Sequence, residues 1–214
     1  MKPHRTRILL ADDHALLLDA FRGLLEPAYE VVGCVTDGRA MVEAAIRLKP
    51  DIVIADISMP LLNGLDACEQ LKARLPRTKV IILTMDEDPD VAAEAFRRGA
   101  VGFALKKSAS AELLQALEAV AHGRTYVSAA ITDLPPTTFA ALARDSASSP
   151  ALTERQREVI QLLAEGRSMK EAADILNVTP RTIAFHKYAI MERHGLKTSA
   201  ELVRFAVHLG LVKG

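Results

Sequence analysis

The chain has 214 residues, of which 50% are hydrophobic and 25% charged, and its formal net charge is zero. That composition is ordinary for a soluble globular protein. No apolar run is long enough for a membrane span, and the amino terminus MKPHRTR lacks the apolar core of a signal peptide. We therefore expect a cytoplasmic protein without membrane association, whose two cysteines, Cys34 and Cys68, are reduced core residues.

The charge is spread unevenly along the chain. Residues 151–214 hold 10 Lys and Arg against 7 Asp and Glu, a net +3, and the preceding residues carry the balancing −3. The asymmetry is small, but its sign is the one expected for an acidic regulator joined to an anion-binding domain.

The first 122 residues alternate strand-like and helix-like patterns. Strands are predicted at 6–11, 29–35, 51–55, 79–84 and 101–105, and an amphipathic helical stretch follows each of them. This alternation is typical of a parallel sheet that is covered by helices on both faces. We therefore expect a flavodoxin-like α/β domain with five parallel strands in the order 2-1-3-4-5, so that strands 1 and 3 are neighbours.

Residues 123–150 interrupt the alternation. A Pro-Pro pair and a run rich in Ser, Ala and Asp predict a linker, within which TTFAALAR is a candidate helical piece.

From residue 151 onward, capping signals predict four short helices. These helices are expected at about 154–165, 169–176, 180–194 and 199–209. Their starts are marked by three capping boxes and by a threonine before proline: Thr153 with Gln156, Ser168 with Glu171, Thr198 with Glu201, and Thr179 with Pro180. Their ends are marked by Gly166, Asn177, Gly195 and Gly210. A tight turn, NVT, joins the second helix to the third, which predicts a helix-turn-helix in an all-α domain.

An acid, Asp56, follows the apolar third strand in DIVIADISMP, where a carboxylate is costly unless something holds it. Polar residues also stand at the ends of other strands: Asp12, Asp13, Thr84 and Lys106. The carboxyl ends of parallel strands meet at one edge of a sheet, which is where open α/β sheets bind ligands. Three carboxylates in one pocket require a counter-ion, and Mg²⁺ prefers such oxygen ligands. Together with the lysine and the hydroxyl, they predict a site for a phosphoryl group.

Each of these residues also has an ordinary interpretation when it is taken alone. An Asp after a strand is most often a helix N-cap, a single Lys such as Lys106 is usually a solvated charge, and Thr84 simply ends its strand. Their combination at four strand ends is what favours a site.

With these motifs in place, the chain resembles a known family. The pieces LLADDH, DISMPLLNG, Thr84 and GAVGFALKK resemble the receiver domain of bacterial two-component response regulators. The stretch LTERQREVIQLLAEGRSMKEAADILNVTPRTIAFHKYAIM resembles a LuxR-type helix-turn-helix. Together they resemble the NarL/FixJ class of transcriptional regulators over nearly the whole chain. The resemblance implies a receiver domain at 1–122, a linker at 123–150 and a DNA-binding domain at 151–214.

The resemblance also implies roles for individual residues. Asp56 would accept a phosphoryl group from a partner sensor histidine kinase. Asp13, Asp56 and the backbone carbonyl of Ser58 would bind Mg²⁺, and Asp12 would help directly or through water. Three further residues would respond to the phosphoryl group: Lys106 by pairing with one of its oxygens, Thr84 by turning its hydroxyl toward it, and Phe103 as an inward switch aromatic without the hydroxyl of a tyrosine.

The third helix of the second domain is the candidate DNA-reading helix. At about 100° per residue, Ile183, Ile190 and His194 fall on a packing side, and an opposite side with Phe185 and Tyr188 is expected to enter the major groove of double-stranded DNA. The expected contacts, on DNA bound as a homodimer, are Lys170, Thr179, Arg181, Thr182, Ala184, Phe185, Lys187 and Tyr188, with Arg167 as a further phosphate contact.

Two of these positions depart from the family pattern, which usually has Lys at Ala184 and an apolar residue at His194. The usual basic contact is therefore missing. The alternative for this helix is that Phe185 and Tyr188 are core residues and that its phase is misjudged.

The function predicted in this way is a phosphorylation-controlled, DNA-binding transcriptional regulator that is not an enzyme. One alternative is an orphan regulator that binds DNA but takes no phosphate, which the complete acidic set disfavours. The other is a phosphatase with Asp56 as nucleophile. Such enzymes commonly carry a second acid two residues later, where this chain has Ser58.

Overall fold

The computed structural model describes residues 5–145 and 152–212. Apart from the short loop 60–62, the first range forms one compact unit and the second range forms another. The remainder of the predicted linker, 146–150, lies outside the described residues, as do 1–4, 151 and 213–214. Within the described ranges, no helix is both long enough and apolar enough to cross a membrane.

In the described residues, the first unit is a parallel sheet of six strands packed against six α-helices. The strands are β1 (Arg7–Ala11), β2 (Glu30–Val35), β3 (Ile52–Ala55), β4 (Lys79–Thr84), β5 (Gly102–Leu105) and β6 (Tyr126–Val127). The helices are α1 (Ala15–Leu25), α2 (Gly38–Leu48), α3 (Gly64–Arg74), α4 (Pro89–Arg97), α5 (Ala109–Ala121) and α6 (Pro136–Asp145). The strand order is β2-β1-β3-β4-β5-β6, which confirms the predicted order of the first five strands.

The sheet forms the core of this unit because its central strands are apolar on both faces. All four residues of β3 are buried, as expected for a parallel strand with helices on either side. One face packs on Leu18, Phe21 and Leu25 of α1 and on apolar residues of α5. A carboxylate or lysine directly after such a strand therefore lies next to the buried core of the sheet.

The sixth strand is the part of the sheet that sequence patterns did not predict. Tyr126 and Val127 pair in parallel with Gly102 and Phe103 of β5, inside the region predicted as linker. A strand of two residues is too short to show alternation, so only its β-forming residue types hinted at it. The helical piece predicted at TTFAALAR is confirmed as α6.

Both cysteines are free, in agreement with the prediction of reduced thiols. Burial raises the pKa of the Cys68 thiol to about 12, so this side chain stays protonated and behaves as a small apolar residue.

The second unit consists of four helices: α7 (Glu154–Ala164), α8 (Met169–Leu176), α9 (Pro180–Arg193) and α10 (Ser199–His208). Both hydrogen bonds of the capping box form at Thr153 and at Ser168. At the third, the Thr198 side chain accepts the Glu201 N–H, while the Glu201 carboxylate accepts the N–H of Lys197. The predicted ends at Gly166, Asn177, Gly195 and Gly210 all have positive φ. The predicted helix-turn-helix is therefore confirmed.

Candidate phosphoryl-acceptor site and nucleic-acid interface

Three buried charges meet at the carboxyl edge of the sheet. The Nζ atom of Lys106, directly after β5, lies 2.7 Å from Oδ2 of Asp12, after β1, and 3.0 Å from Oδ2 of Asp56, after β3. All three side chains are at most 5% exposed. Charges so deeply buried are tolerated only when they are paired, and here one ammonium serves two carboxylates.

Two neighbouring side chains extend this acidic cluster. One ligand atom from each of Asp12, Asp13, His14 and Asp56 lies within 4.8 Å of the others. Three carboxylates outweigh the single ammonium of Lys106, so the pocket attracts a further cation. Carboxylate oxygens are the ligands that suit Mg²⁺, and this donor set fits such an ion.

His14 is a member of the pocket that sequence reasoning missed. Its Nδ1 lies 3.0 Å from Oδ1 of Asp12 and 2.8 Å from Oδ1 of Asp13. Its backbone N–H also donates to Asp12, at 2.9 Å. The only signal in the sequence was its place directly after the two acids.

The loop after β3 is held close to Asp56 by Asn63 and Gly64, which end the motif DISMPLLNG but were given no role from the sequence. Asn63 caps α3 by accepting the N–H groups of Leu65 and Asp66, each at 3.0 Å. At Gly64, a Cβ atom would lie 1.9 Å from the carbonyl oxygen of Asp56. The Asn-Gly pair therefore begins α3 where no larger residue than glycine fits. Ser58, the expected carbonyl ligand, lies in the loop that this contact closes.

Two of the expected switch residues are buried at neighbouring strands. Thr84 ends β4 and is 3% exposed, and its Oγ1 accepts the N–H of Asp86 at 3.2 Å. Phe103 in β5 is fully buried. The structure thus brings Asp12, Asp13, Asp56 and Lys106 together, while the Thr84 hydroxyl is engaged by the loop that follows its own strand.

In the second unit, the burial pattern of α9 agrees with the predicted helix phase. Ile183 and Ile190 are fully buried, whereas Phe185 is 70% exposed and Tyr188 is 58% exposed. The alternative in which the two aromatic residues belong to the core is therefore wrong. Apolar rings that remain this exposed on a helix are candidates for a binding surface.

Of the polar residues expected at this interface, Lys187 lies beside one of the exposed rings. The Lys187 ammonium lies 5.8 Å from the centre of the Tyr188 ring and 3.4 Å from Oγ of Ser199. Thr179 has a structural role as well, because its hydroxyl accepts the Thr182 N–H and caps α9. Arg167, Lys170 and Arg181 are exposed, and Thr182 and Ala184 are partly exposed.

His194 packs where the family pattern would have an apolar residue. Its ring stacks against Phe205, with centroids 4.6 Å apart. Its Nε2 is buried and has no hydrogen-bond partner among the described residues. This partly buried side chain therefore packs on the domain, as predicted from its place on the packing side.

Comparison with family models assigns both units. Residues 8–118 match the response regulator receiver domain, and residues 150–206 match the bacterial regulatory proteins of the luxR family. The chain therefore belongs to the response regulators that join a receiver domain to a LuxR-family DNA-binding domain, the NarL/FixJ class predicted from its motifs.

Individual relatives agree with this assignment along nearly the whole chain. The transcriptional regulatory protein MctR of Rhizobium johnstonii is 34% identical over 97% of this chain and 96% of its own. The oxygen regulatory protein NreC of Staphylococcus aureus is 33% identical over 97% and 99%.

Solved structures of similar proteins support the same fold. The RcsB response regulator of Salmonella typhimurium is similar with a TM-score of 0.65 at 26% identity, over 96% of this chain and 98% of that one. A structure of two RcsB dimers bound to two parallel DNAs matches with a TM-score of 0.57 at 26% identity, over 94% and 98%.

Proposed function

We propose that Asp56 is the phosphoryl acceptor of this regulator and that a sensor histidine kinase is the donor. The observation that carries this proposal is the position of the Lys106 ammonium between Asp12 and Asp56 in a buried acidic pocket. The proposal assigns 1–122 to the receiver, 123–150 to the linker and 151–214 to DNA binding.

In the proposed transfer, a carboxylate oxygen of Asp56 attacks the phosphorus of the donor phosphohistidine. The P–N bond breaks, its electron pair stays on the imidazole, and an aspartyl phosphate forms. Lys106 then pairs with a phosphoryl oxygen, a role for which its 3.0 Å distance from Asp56 places it well. Asp12, Asp13, Asp56 and the Ser58 carbonyl would hold Mg²⁺, which supplies further neutralisation of the phosphoryl charge.

The response to phosphorylation would begin at Thr84 and Phe103. The Thr84 hydroxyl, whose oxygen accepts the N–H of Asp86, would turn to donate its own O–H to a phosphoryl oxygen. The buried side chain of Phe103 would follow this movement inward. The described burial of both residues supports a switch that is internal to the receiver.

The proposed output is binding of the second unit to double-stranded DNA through α9, as a homodimer. The exposed rings of Phe185 and Tyr188 and the exposed Arg181 support α9 as the helix that enters the major groove. The RcsB dimers seen on DNA support the dimeric state.

The acceptor is tested by incubating the full chain with acetyl phosphate and Mg²⁺ and measuring its mass. Wild type should gain one phosphoryl group that persists, and Asp56→Asn should gain none. Asp12→Asn and Asp13→Asn should each need more Mg²⁺ for the same labelling rate, because each removes a carboxylate from the pocket.

The same experiment separates the alternatives. Rapid turnover of acetyl phosphate without persistent labelling would indicate a phosphatase, and no reaction at all would indicate an orphan regulator. Full labelling of Asp56→Asn would show that another residue is the acceptor.

A further inference from the structure

The segment that leads from the receiver toward the DNA-binding domain is built into the receiver at the strand that carries Lys106. Beside β5, the N–H of Tyr126 donates to Val101 O at 3.1 Å and the N–H of Ser128 donates to Phe103 O at 3.0 Å. The next donor of β5 on this side, the N–H of Leu105, does not continue this ladder. It donates instead to Oε2 of Glu112 at 3.2 Å.

Glu112 joins three parts of the receiver through one carboxylate. Its other oxygen, Oε1, accepts a hydrogen bond from the Ser128 hydroxyl at 2.9 Å. Ser128 is fully buried, and its Oγ also accepts the N–H of Ala130 at 3.4 Å. We call this arrangement of Leu105, Glu112 and Ser128 the clasp. It connects the end of β5, the first turns of α5 and the segment after β6.

The clasp lies one residue from the phosphoryl-sensing lysine. Lys106 directly follows Leu105, and its ammonium reaches Asp12 and Asp56 in the pocket. Phe103, whose carbonyl accepts from Ser128, is the proposed switch aromatic. At this end of β5, the carbonyl of Phe103 is therefore bound by the N–H of Ser128, and the N–H of Leu105 is bound by the carboxylate of Glu112.

The segment that follows β6 also packs on α4, through α6. The ring of Phe139 in α6 packs edge-on against Phe96 of α4, with centroids 5.8 Å apart and an interplanar angle of 74°. Phe96 is fully buried, and Ala140 of α6 is 1% exposed. The helix α4 follows the loop that begins after Thr84, and β5 ends directly before Lys106. Both α4 and β5 therefore contact the segment 126–145.

We propose that Glu112 and Ser128 are positioning residues that couple Lys106 to the linker. The clasp holds the end of β5 so that Lys106 can contact the phosphoryl group. A movement of Lys106 in turn changes how firmly residues 126–131 are bound to β5 and α5. This inference rests on the proposed function of Asp56. Because the clasp positions Lys106, which pairs with a phosphoryl oxygen in the proposed transfer, a loosened clasp should also slow the labelling of Asp56.

The first test measures labelling of full-length variants by acetyl phosphate at several Mg²⁺ concentrations. Ser128→Ala and Glu112→Leu should slow labelling roughly threefold or more, in the range that residues coupled to a site show. Glu112→Gln should label nearly as wild type, because its amide can still accept from Leu105 and donate to Ser128. The matched control is Thr125→Val. It removes a buried hydroxyl from the same segment, but one with no partner among the described residues.

The second test follows amide hydrogen exchange of the wild-type chain with and without phosphorylation. Exchange of residues 126–131 should change on labelling, and this change should be absent in Asp56→Asn treated in the same way. A merely structural clasp would leave the exchange rates independent of phosphorylation. This measurement remains decisive where Ser128→Ala does not fold.

Three results have distinct meanings. Labelled wild type with unchanged exchange at 126–131 would overturn the coupling and leave the acceptor role of Asp56 intact. Ser128→Ala that folds and labels at the wild-type rate would overturn it as well. A wild-type chain that takes no label at Asp56 would instead overturn the proposed function itself.

Discussion

At the scale of single residues, the outward face of α9 carries the rings of Phe185 and Tyr188, and it has Ala184 at the position where the family pattern usually has a lysine. With Ala184 in place of Lys, direct bidentate contacts to base edges should be few, and phosphate contacts should supply most of the affinity. Lys187, with its ammonium beside Tyr188, is a candidate for such a phosphate contact.

The matched pair Lys187→Ala and Phe185→Ala distinguishes the two kinds of contact. Lys187→Ala should weaken binding to all duplexes alike and lower the salt slope by roughly 0.9, because one fewer counterion is released. Phe185→Ala should cost about 1–3 kcal/mol on the preferred site and little on random DNA. Salt titrations of both variants on specific and random duplexes measure this. An unchanged ratio of specific to random affinity for Phe185→Ala would remove Phe185 from base recognition.

Some residues of the candidate site could be predicted from the sequence and others could not. Asp56 and Lys106 were predicted because a charge directly after an apolar strand is unusual and the topology fixes where it lies. His14 and Ser128 gave no such signal, since a histidine near acids and a serine in a linker are ordinary. Their roles arise from side-chain contacts with residues that the chain brings near only on folding.

At the scale of the elements, the helices of the second unit were predicted almost to the residue. Local interactions determine where these helices begin and end. The signals are a side-chain hydroxyl that accepts the N–H of the third helical residue, a proline at the first helical position, and a residue with left-handed backbone conformation after the last turn. The start of α3 has a local cap as well, at Asn63, but its placement beside Asp56 depends on a close tertiary approach that no local pattern contains.

That approach makes Gly64→Ala a sharp test of the loop that carries Ser58. The added methyl group would lie 1.9 Å from the backbone oxygen of Asp56, so the loop must move. We expect a loss of about 1–3 kcal/mol in the free energy of unfolding, as for overpacked sites, together with slower labelling of Asp56.

The control for this substitution is Gly23→Ala in the last turn of α1. Apart from its chain neighbours and the backbone of its own helix, no described atom lies within 4 Å of the position that a Cβ would take there. Alanine should therefore stabilise that helix by about 0.5–1 kcal/mol and leave labelling unchanged. Urea denaturation and the labelling rate measure both variants. Equal behaviour of the two alanine variants would mean that the contact at Asp56 is not restrictive.

At the scale of the whole molecule, the sequence predicted the architecture because its two halves use different and strong patterns. Alternating strands and helices leave few topologies for a parallel sheet, and the order of five strands followed from them. The sixth strand and the packing of α6 on α4 were not predictable in this way. They depend on surfaces of β5 and α4 that exist only once the rest of the receiver has folded.

The presence of β6 has a practical consequence for handling the receiver alone. A chain that stops at residue 122 would leave the backbone groups of Gly102 and Phe103 on an open sheet edge and uncover Phe96 beside it. Open edges next to apolar surface recruit further strands and aggregate. Light scattering of the two unphosphorylated fragments should therefore show association for one ending at 122 and a monodisperse monomer for one ending at 145. If the shorter fragment is equally monodisperse, β6 is not what protects the edge. If the shorter fragment associates, the smallest receiver that stays monomeric includes β6 and α6, which sequence patterns assign to the linker.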